Sequence, residues 1–379
     1  MERRLYRRMT ARPTDEEHRA STPLELFFDL CFVVAVAQAA EALHHALGEG
    51  HIAHGVGSYF MVFFAVWWAW MNFTWFASAY DTDDVVYRIT TLIQITGSLI
   101  IAAGVDRAFE REDFTIMVIG YVIMRAALVS QWLRLALSYP PRRTTALRAA
   151  GGLLAVQALW VLLIFLPHSL QTPAWILFAL IDVSVPLFAE LAGRTSWHPH
   201  HIAERYGLFT LIMLGESVGA ATLAFKTAFD TRFTGSLLLT VVGAILIMSA
   251  LWWLYFSRSA ADLLTGLKAG FVWGYGHYLV FGSAAAVGAG LSLAAAQATG
   301  QEHTSDLLTA AAVTVPTAVF LLTLWVLHHH PGDPVLPALG GAALVLAVTF
   351  LPGAVLLTGL VLVAVVTAKE LSPARSATP

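Results

Sequence analysis

Residues 235–256 read GSLLLTVVGAILIMSALWWLYF, a run of 22 residues without a charged side chain. A helix that crosses the hydrocarbon core of a bilayer needs about 20 mostly apolar residues. A charge-free run of this length is typical of such a helix and not of a buried helix in a soluble domain. The segment therefore predicts a membrane span, and it sets the scale for reading the rest of the chain.

Apolar runs of similar length recur along the whole sequence, and together they predict about twelve spans. The candidate spans are residues 24–43, 57–80, 86–105, 114–137, 147–166, 174–192, 202–226, 235–256, 270–297, 308–327, 336–350 and 353–368. The last two are the shortest, and Leu351-Pro352-Gly353 leaves almost no loop between them, so a broken hairpin over 336–368 also fits. We expect an all-α, polytopic transmembrane helical bundle over residues 23–369.

The overall composition excludes a soluble enzyme. Hydrophobic residues make up 58% of the 379 residues, and charged residues only 12%. Soluble domains carry about 25% charged residues, and a water-facing surface on a fold of this size could not be built with so few. A lipid bilayer is the expected partner, and nucleic acid is not. Cys31 is the only cysteine, so an intrachain disulfide is excluded.

The distribution of basic residues predicts the orientation, because cytoplasmic loops are enriched in Lys and Arg. Residues 1–22 form an arginine-rich tail without a cleavage site, which we expect to be retained in the cytoplasm, as is a second tail at 370–379. With the N-terminus inside and twelve spans, most of the 22 basic residues lie on the cytoplasmic side. Only Arg107, Arg111, Lys226 and Arg232 are assigned to the opposite side of the membrane. Both termini of this cell-membrane protein are therefore predicted to be cytoplasmic.

A faint repeat links the two halves of the chain. The first span begins LELFFDLCFVVAVAQ at residue 24, and the seventh begins AERYGLFTLIMLGES at residue 203. Tryptophan-rich stretches follow in the second span (67–70) and the eighth (252–255). A six-plus-six parallel repeat with halves 23–195 and 196–369 would produce this pattern, as in transporters built from two halves. Chance alignment of apolar, aromatic-rich helices is the alternative.

Ionisable side chains inside the spans are the best functional candidates, because a charge at mid-bilayer is costly and is kept away from lipid. Glu25 and Asp29 lie one turn apart on one face of the first span. Arg125 lies near the middle of the fourth and needs a counter-ion, for which Asp182 or Asp29 is the expected partner. Glu216 lies deep in the seventh span, where it would carry a proton or serve as a neutral, hydrogen-bonded acid.

The full set of candidates for a substrate or proton pathway contains eleven polar residues of the spans. They are Glu25, Asp29, Arg125, Asp182, Glu190, His201, Glu204, Arg205, Glu216, Ser217 and His277. Those close to the cytoplasmic face have helix capping or interfacial ion pairing as the alternative role. His201-x-x-Glu204 has the spacing of a metal-binding pair, with His200, Glu190 and Asp29 as further ligands, but a second copy of the motif is missing. No metal or cofactor is assigned.

Two groups of aromatic and histidine residues have simpler interpretations. The tryptophans at 67–70 and 252–253 fit an aromatic belt at the membrane interface, with a stacking site for a flat or cationic ligand as the alternative. His328, His329 and His330 precede a Pro-Gly pair, and we expect them to form a solvated loop.

Several of these stretches together resemble the bacterial low temperature requirement A family. The motifs are ELFFDL at 25–30 with Phe32 and Val33, HIAERYGLF at 201–209 continuing to LGES at 214–217, WWLYF at 252–256, and the segment 81–88. The resemblance covers about residues 20–368 and implies a polytopic bacterial membrane protein linked by name to growth at low temperature. It supplies neither substrate nor reaction. It adds weight to the positions that match its motifs, which are Glu25, Asp29, His201, Glu204, Arg205, Glu216 and Ser217. Cys31 departs from the small apolar residue of the pattern.

Three hypotheses for function follow. The first is a proton- or ion-coupled transporter or permease, supported by the buried acids and the two-half pattern. The second is an intramembrane enzyme or a metal- or cofactor-binding protein, in which five side chains converge at the cytoplasmic side: Glu25, Asp29, Glu190, His201 and Glu204. The third is a non-catalytic membrane component of a stress response. The sequence favours a transporter over an enzyme, and neither the substrate nor the oligomeric state follows from it.

Overall fold

The computed structural model describes residues 5–12, 19–231, 233–329 and 336–371. All regular elements in these ranges are helical, which confirms the predicted all-α class. The α-helices are α1 (Pro23–Gly48), α2 (Ile52–Tyr80), α3 (Val85–Ala103), α4 (Val105–Arg111), α5 (Thr115–Ser138), α6 (Arg143–Leu163), α7 (His168–Glu190), α8 (Pro199–Thr231), α9 (Gly235–Phe256), α10 (Leu267–Thr299), α11 (Asp306–His328), α12 (Leu336–Ala347) and α13 (Ala354–Leu371). The predicted tails lie partly outside the described residues, as do Arg232 and His330.

Eleven of the described helices are long and apolar enough to cross a membrane, with α3 and α4 counted as one continuous span. The predicted eleventh span, 336–350, is found as an apolar helix, Pro337–Phe350, that is too short to meet that length. It ends at the expected break, because proline lacks a backbone N–H and restricts the residue before it. Gly353 adopts the left-handed φ of +72° that the reversal requires. A Cβ atom at Gly341 would lie 2.5 Å from Val365, so α12 packs tightly against α13.

Short polar side chains fix where several helices begin. Asp84 accepts a hydrogen bond from the backbone N–H of Tyr87 at the start of α3, and Thr234 does the same for Leu237 at the start of α9. Such N-caps satisfy backbone donors that the first turn leaves unpaired. At the other end of α10, Gly300 adopts a left-handed φ of +75°, the usual glycine C-cap.

The chain divides into two compact units, each described here by itself. Unit 1 comprises Met1–Ala39 with Met61–Tyr206, and unit 2 comprises Ala40–Phe60 with Gly207–Pro379. In unit 1, α3 and α5 meet at two glycines: a Cβ on Gly97 would lie 2.7 Å from the Gly120 carbonyl oxygen. Small residues let the two helix backbones approach, which is how helices pack in the absence of a hydrophobic driving force.

Unit 2 is organised around α10, in which 78% of the residues in an 18-residue apolar stretch are buried. Its sequence is rich in Ala, Gly and Ser. A Cβ on Gly290 would lie 2.2 Å from the Ala312 carbonyl oxygen, so α11 packs against the α10 backbone. The predicted six-plus-six repeat over 23–195 and 196–369 stays a prediction.

The surface of unit 1 suits lipid. On α7, exposed apolar side chains include Ile176, Leu177, Leu180 and Phe188, each about half or more exposed. A soluble monomer rarely shows a continuous apolar patch of this kind. Acyl chains can cover such a surface without the cost of exposing it to water, and it agrees with a multi-pass membrane protein.

Candidate functional site

A buried charge cluster lies in unit 1 between α1 and the first turns of α8. Arg205 holds Asp29 with two hydrogen bonds, from Nε to Oδ2 at 3.1 Å and from Nη2 to Oδ1. Its Nη1 atom lies 3.2 Å from Oε1 of Glu25. His201 Nε2 lies 3.2 Å from the same oxygen, and the four side chains are at most 1% exposed. We call Arg19, Glu25, Asp29, His201 and Arg205 the α1 charge cluster.

Glu25 has a second task, because it also caps α1. Its Oε2 atom accepts a hydrogen bond from the backbone N–H of Thr22 at 2.8 Å, and Thr22 Oγ1 accepts one from the Glu25 backbone N–H at 3.3 Å. This is the reciprocal capping box of a Thr-x-x-Glu sequence. One carboxylate oxygen therefore holds the start of the helix, while the other faces His201 and the arginines.

Two residues that contact these carboxylates, Arg19 and Trp70, were not predicted from the sequence as site residues. Arg19 is only 4% exposed, although it lies in the predicted cytoplasmic tail. It lies 3.9 Å from Glu25 and donates to the carbonyl oxygens of Ala77 and Ser78 at the end of α2. Trp70 donates its indole N–H to Asp29 at 2.7 Å. The Thr-x-x-Glu box was the signal that the chain entering α1 is ordered.

A second cluster surrounds Asp182, also in unit 1. Trp68 donates its indole N–H to Oδ1 of Asp182 at 2.8 Å, and Trp160 donates to Oδ2 at 2.8 Å. Arg125 also donates to Oδ2, and its guanidinium lies 5.0 Å from the ring centroid of Tyr121. The structure therefore selects Asp182 from the two partners expected for Arg125. We call Trp68, Tyr121, Arg125, Trp160 and Asp182 the Asp182 cluster.

These contacts correct the interfacial interpretation of two tryptophans. Trp68 and Trp70 are fully buried and bind carboxylates, so they are not members of an aromatic belt. A desolvated carboxylate needs hydrogen-bond donors, and an indole N–H supplies one on an otherwise apolar side chain. Trp252 and Trp253, which are about half exposed, keep the interfacial interpretation.

A cavity of about 30 Å³ lies beside the Asp182 cluster. Its lining is aromatic and aliphatic, and Tyr121 and Trp160 belong to both the cavity and the cluster. The other lining residues are Phe64, Ala65, Phe114, Met117, Val118, Leu163 and Trp175. The volume exceeds that of a single water-sized probe, so the cluster adjoins empty space on one side.

Glu190 and Glu204 make their contacts outside the α1 charge cluster. Glu190 accepts hydrogen bonds from the backbone and hydroxyl of Thr195, just beyond the end of α7. Glu204 accepts one from the backbone N–H of Ser21 at 3.3 Å. Neither acid makes a described contact with the side chains of the α1 charge cluster, and the expected convergence of Glu190 and Glu204 with Glu25, Asp29 and His201 stays a prediction. Glu190 binds the segment that follows its own helix, whereas Glu204 holds the segment that enters α1.

The remaining candidates lie in unit 2. Glu216 is half-buried on α8, and among the described residues it has no ion-pair partner. The Ser217 hydroxyl lies within hydrogen-bond distance of two carbonyl oxygens, that of Met213 at 3.1 Å and that of Ala284 at 3.0 Å. It donates its proton to one or the other. Its Oγ atom would lie 2.8 Å from a Cβ at Gly288, so α8 and α10 pack closely at this hydroxyl.

His277 is fully buried on α10 with both ring nitrogens engaged. Nδ1 lies 2.7 Å from the Trp273 carbonyl oxygen, which can only accept, so Nδ1 carries the proton. Nε2 then accepts from the Tyr255 hydroxyl at 2.9 Å. His328 stacks on Trp273 with ring centroids 5.3 Å apart and is 6% exposed. The expected solvated loop is therefore wrong for His328, whereas His329 is exposed and His330 lies outside the described residues.

A third ion pair ties the N-terminal segment to α5. Arg134 donates to both carboxylate oxygens of Asp84, and the backbone N–H of Arg7 donates to Asp84 Oδ2 at 2.7 Å. Burial would raise the pKa of Asp84, but these hydrogen bonds hold it below its usual value. Arg134 also lies over the ring of Tyr6 at 4.5 Å. The described part of the N-terminal tail is therefore packed on the helices.

Asp81 lies in the connection after α2, where ionisation of its carboxyl group is unfavourable. It is 7% exposed, and burial together with the Glu25 carboxylate raises its pKa to about 6, against the opposing effect of Arg19 and Arg12. A folded-state pKa above the unfolded value favours folding at acid pH, and that contribution is lost as the pH rises from about 4 through 6.

We expect Asp81→Asn to raise the free energy of unfolding above pH 6 by about 3 kcal/mol, which corresponds to a pKa raised from 3.8 to about 6. The amide keeps the acceptor for the Asp83 backbone N–H and removes the buried charge. Thermal unfolding in detergent between pH 4 and 8 measures the difference from the unmodified protein. Asp113→Asn is a control of opposite sign. Hydrogen bonds from Thr115 and Arg107 lower the pKa of Asp113 to about 2, so replacing this acid should not raise the free energy of unfolding above pH 6. Identical pH dependence in the Asp81 variant and the unmodified protein would contradict the assignment.

The α1 charge cluster does not resemble a metal site. Its two carboxylates already face two guanidinium groups, whose charge opposes a bound cation. The described His, Cys, Asp and Glu side chains of unit 1 do not bring three ligand atoms within metal-binding range of one another. The expected ligand set of Asp29, Glu190, His200 and His201 is therefore not assembled.

Comparisons with known proteins add a family match. The family model described as bacterial low temperature requirement A protein (LtrA) matches residues 20–369. A protein of Rhizobium meliloti (strain 1021), described as uncharacterized, is 27% identical over 301 residues, which cover 74% of this chain and 71% of that protein. No solved structure matches the chain.

Proposed function

The chain belongs to the bacterial low temperature requirement A family of multi-pass membrane proteins, and from this premise we propose that it is a proton-coupled permease. The proposal places the proton-binding step at the α1 charge cluster of unit 1. It also places both termini in the cytoplasm, as the basic residues predict, which requires the short segment 336–350 to cross the bilayer.

The observation that supports the proposal best is Arg205 held between two carboxylates inside a membrane-spanning segment. A buried ion pair is weak evidence for stability, because the desolvation of both charges offsets much of their attraction. Ionisable groups within spans commonly mark ion or proton pathways. Arg205 has two alternative anionic partners, Asp29 and Glu25, within hydrogen-bond reach. Such a cation can change its partner without leaving the cluster.

Proton binding would act by removing one of those partners. Protonation of Asp29 leaves Arg205 with Glu25 as its remaining carboxylate, and protonation of Glu25 leaves it with Asp29. His201 is a nearby proton acceptor, because its Nε2 faces Glu25 and its Nδ1 is buried without a hydrogen-bond partner. A bound proton therefore changes the relative energy of two arrangements of Arg205, and this is the differential interaction that a coupled conformational change needs.

The Asp182 cluster supplies a fixed charge pair next to a cavity. Arg125 has one buried nitrogen, Nη1, without a hydrogen-bond partner. The adjoining cavity, lined by Tyr121 and Trp160, has room for little more than a water molecule, so the proposal does not place the solute path there.

The same experiments distinguish this proposal from two alternatives. Glu216 in unit 2 is the second candidate for a proton carrier, and its lack of a described ion-pair partner supports that role. A non-catalytic stress-response component would carry no flux at all. A cation-binding role for the α1 charge cluster is not favoured, because Arg19 and Arg205 neutralise its two acids.

Proteoliposomes that contain a pH-sensitive dye test the proposal with the purified full chain. A defined panel of amino acids, organic acids and sugars is added outside, with the membrane potential clamped. We expect at least one solute to drive proton entry, and Asp29→Asn to slow that entry by at least about tenfold, the effect of losing one well-placed interaction of about 1.4 kcal/mol. Glu110→Gln, which changes an exposed acid on α4, should match the unmodified protein.

The roles of the α1 charge cluster and Glu216 and the permease assignment are each tested by a different result. His201→Gln provides a second variant of the cluster if Asp29→Asn does not purify as a monodisperse protein. Unchanged flux in Glu216→Gln would rule out Glu216 as the carrier. If solute-driven proton entry persists in both cluster variants, the α1 charge cluster is not the coupling site. If no solute on the panel moves protons, the permease assignment fails and the non-catalytic role is favoured.

A further inference from the structure

Three side chains at the C-terminal end of α1 lie on one patch of unit 2, away from the clusters described above. Glu41, His44 and His45 offer one carboxylate oxygen and two imidazole nitrogens, all within 4.8 Å of one another. Nε2 of His45 lies 2.9 Å from Oε1 of Glu41, and Nδ1 of His44 lies 3.8 Å from the same oxygen. We propose that these residues bind a divalent transition-metal ion of the zinc class.

The donor set agrees with that chemistry. Two imidazoles and one carboxylate are the three protein ligands of many open zinc sites, in which water takes the fourth position. With ligand bonds of about 2.0–2.1 Å, tetrahedral geometry places neighbouring ligand atoms about 3.3 Å apart. The separations of 2.9 and 3.8 Å from Glu41 lie on either side of this value. Small rotamer changes would suffice to close the site.

His44 supplies the second observation that points to a ligand. Its side chain is 15% exposed, and both ring nitrogens are buried without a hydrogen-bond partner. A buried imidazole without hydrogen bonds is costly. The ring stacks on His45 with centroids 5.2 Å apart, which keeps both imidazoles on the same patch. A metal bound to His44 would satisfy one of these nitrogens.

The local field also favours a cation. Both histidines lie in the last turns of α1, where the unpaired carbonyl groups give the helix end a partial negative charge. Glu302 adds a second carboxylate: a Cβ atom at Gly48 would lie 3.0 Å from its Oε1. Gly48 follows His44 by one turn, so the glycine leaves room for this acid close to the proposed site.

Titration of the metal-free, full-length protein in detergent with Co²⁺ tests the proposal. We expect one equivalent to bind with the visible d–d absorption of a four-coordinate site, and Zn²⁺ to displace it. His44→Ala and His45→Ala should each weaken binding by at least about tenfold, a typical loss when a metal site is disturbed. Zn²⁺ should also raise the unfolding temperature of the unmodified protein, because it binds only the folded site.

A matched control is available in the same unit. His51 and Glu49 form another histidine–carboxylate pair, with 3.4 Å between Nδ1 and Oε2, but both side chains are about 70% exposed. His51→Ala should leave both the absorption and the thermal shift unchanged. Equal Co²⁺ binding by the unmodified protein and by the triple variant Glu41→Gln/His44→Ala/His45→Ala would overturn the site, as would the absence of any four-coordinate band. These readouts do not depend on transport.

Discussion

Arg205→Met is expected to lower the free energy of unfolding by about 3–5 kcal/mol, because it leaves two buried carboxylates without their shared cation. Arg205 is 0% exposed and is the group that contacts both Asp29 and Glu25. Arg19 remains 3.9 Å from Glu25, but among the described contacts it makes none with Asp29, so Asp29 loses the positive charge that balances it. Unfolding with increasing SDS in mixed micelles measures the change.

Arg88→Met is the matched control for this prediction. Arg88 forms an ion pair with Asp83, and their side chains are 32% and 48% exposed. Exposed pairs contribute about 0–1 kcal/mol, so the control should lose no more than that. Arg205→Lys should recover part of the loss, since it restores the charge but not the two-pronged contact with Asp29. A loss at Arg205 as small as at Arg88 would show that water reaches the cluster.

Asp182→Asn is expected to have a similar effect through the opposite charge. Arg125 would be left buried without a counter-ion, and one of the two indole N–H donors would face the amide NH2 group and lose its acceptor. We expect a loss of about 3–5 kcal/mol. The double variant Arg125→Met/Asp182→Asn should recover most of it, because the unpaired charge is then removed as well.

A double-mutant cycle makes this second prediction decisive. The two single variants and the double variant give the interaction energy between Arg125 and Asp182, measured by the same SDS titration. Arg107 and Asp113, an exposed pair with side chains 48% and 27% accessible, provide the control cycle. An interaction energy no larger than that of the exposed pair would mean that the two buried side chains do not act as an ion pair.

The sequence predicted the helical class and most of the spans, because run length and hydropathy depend only on local composition. It also placed Glu25 and Asp29 on one face, since a four-residue spacing fixes their relative direction. It could not choose between Asp29 and Asp182 as the partner of Arg125. That choice depends on which helices are neighbours, and apolar periodicity carries little of this information when every face is apolar.

The tryptophans of α2 also depend on which helices are neighbours. Trp68 and Trp70 lie two positions apart on α2, and they serve different carboxylates, Asp182 and Asp29. Residues two apart point in different directions from a helix axis, so a single interfacial role for both was physically unsound. Arg19 was misplaced because its charge suggested solvent, whereas its burial depends on contacts with distant residues of α2.

The short α12 helix has a consequence for temperature. At about 1.5 Å per residue, the helical segment Pro337–Phe350 is only about 21 Å long, whereas a bilayer core is about 30 Å thick. If this segment crosses, the surrounding lipid must thin, at a cost of fractions of a kcal/mol for each Å of mismatch. Cooling orders and thickens acyl chains, so this mismatch grows in the cold. The C-terminal hairpin would then be the part of the molecule most sensitive to membrane thickness.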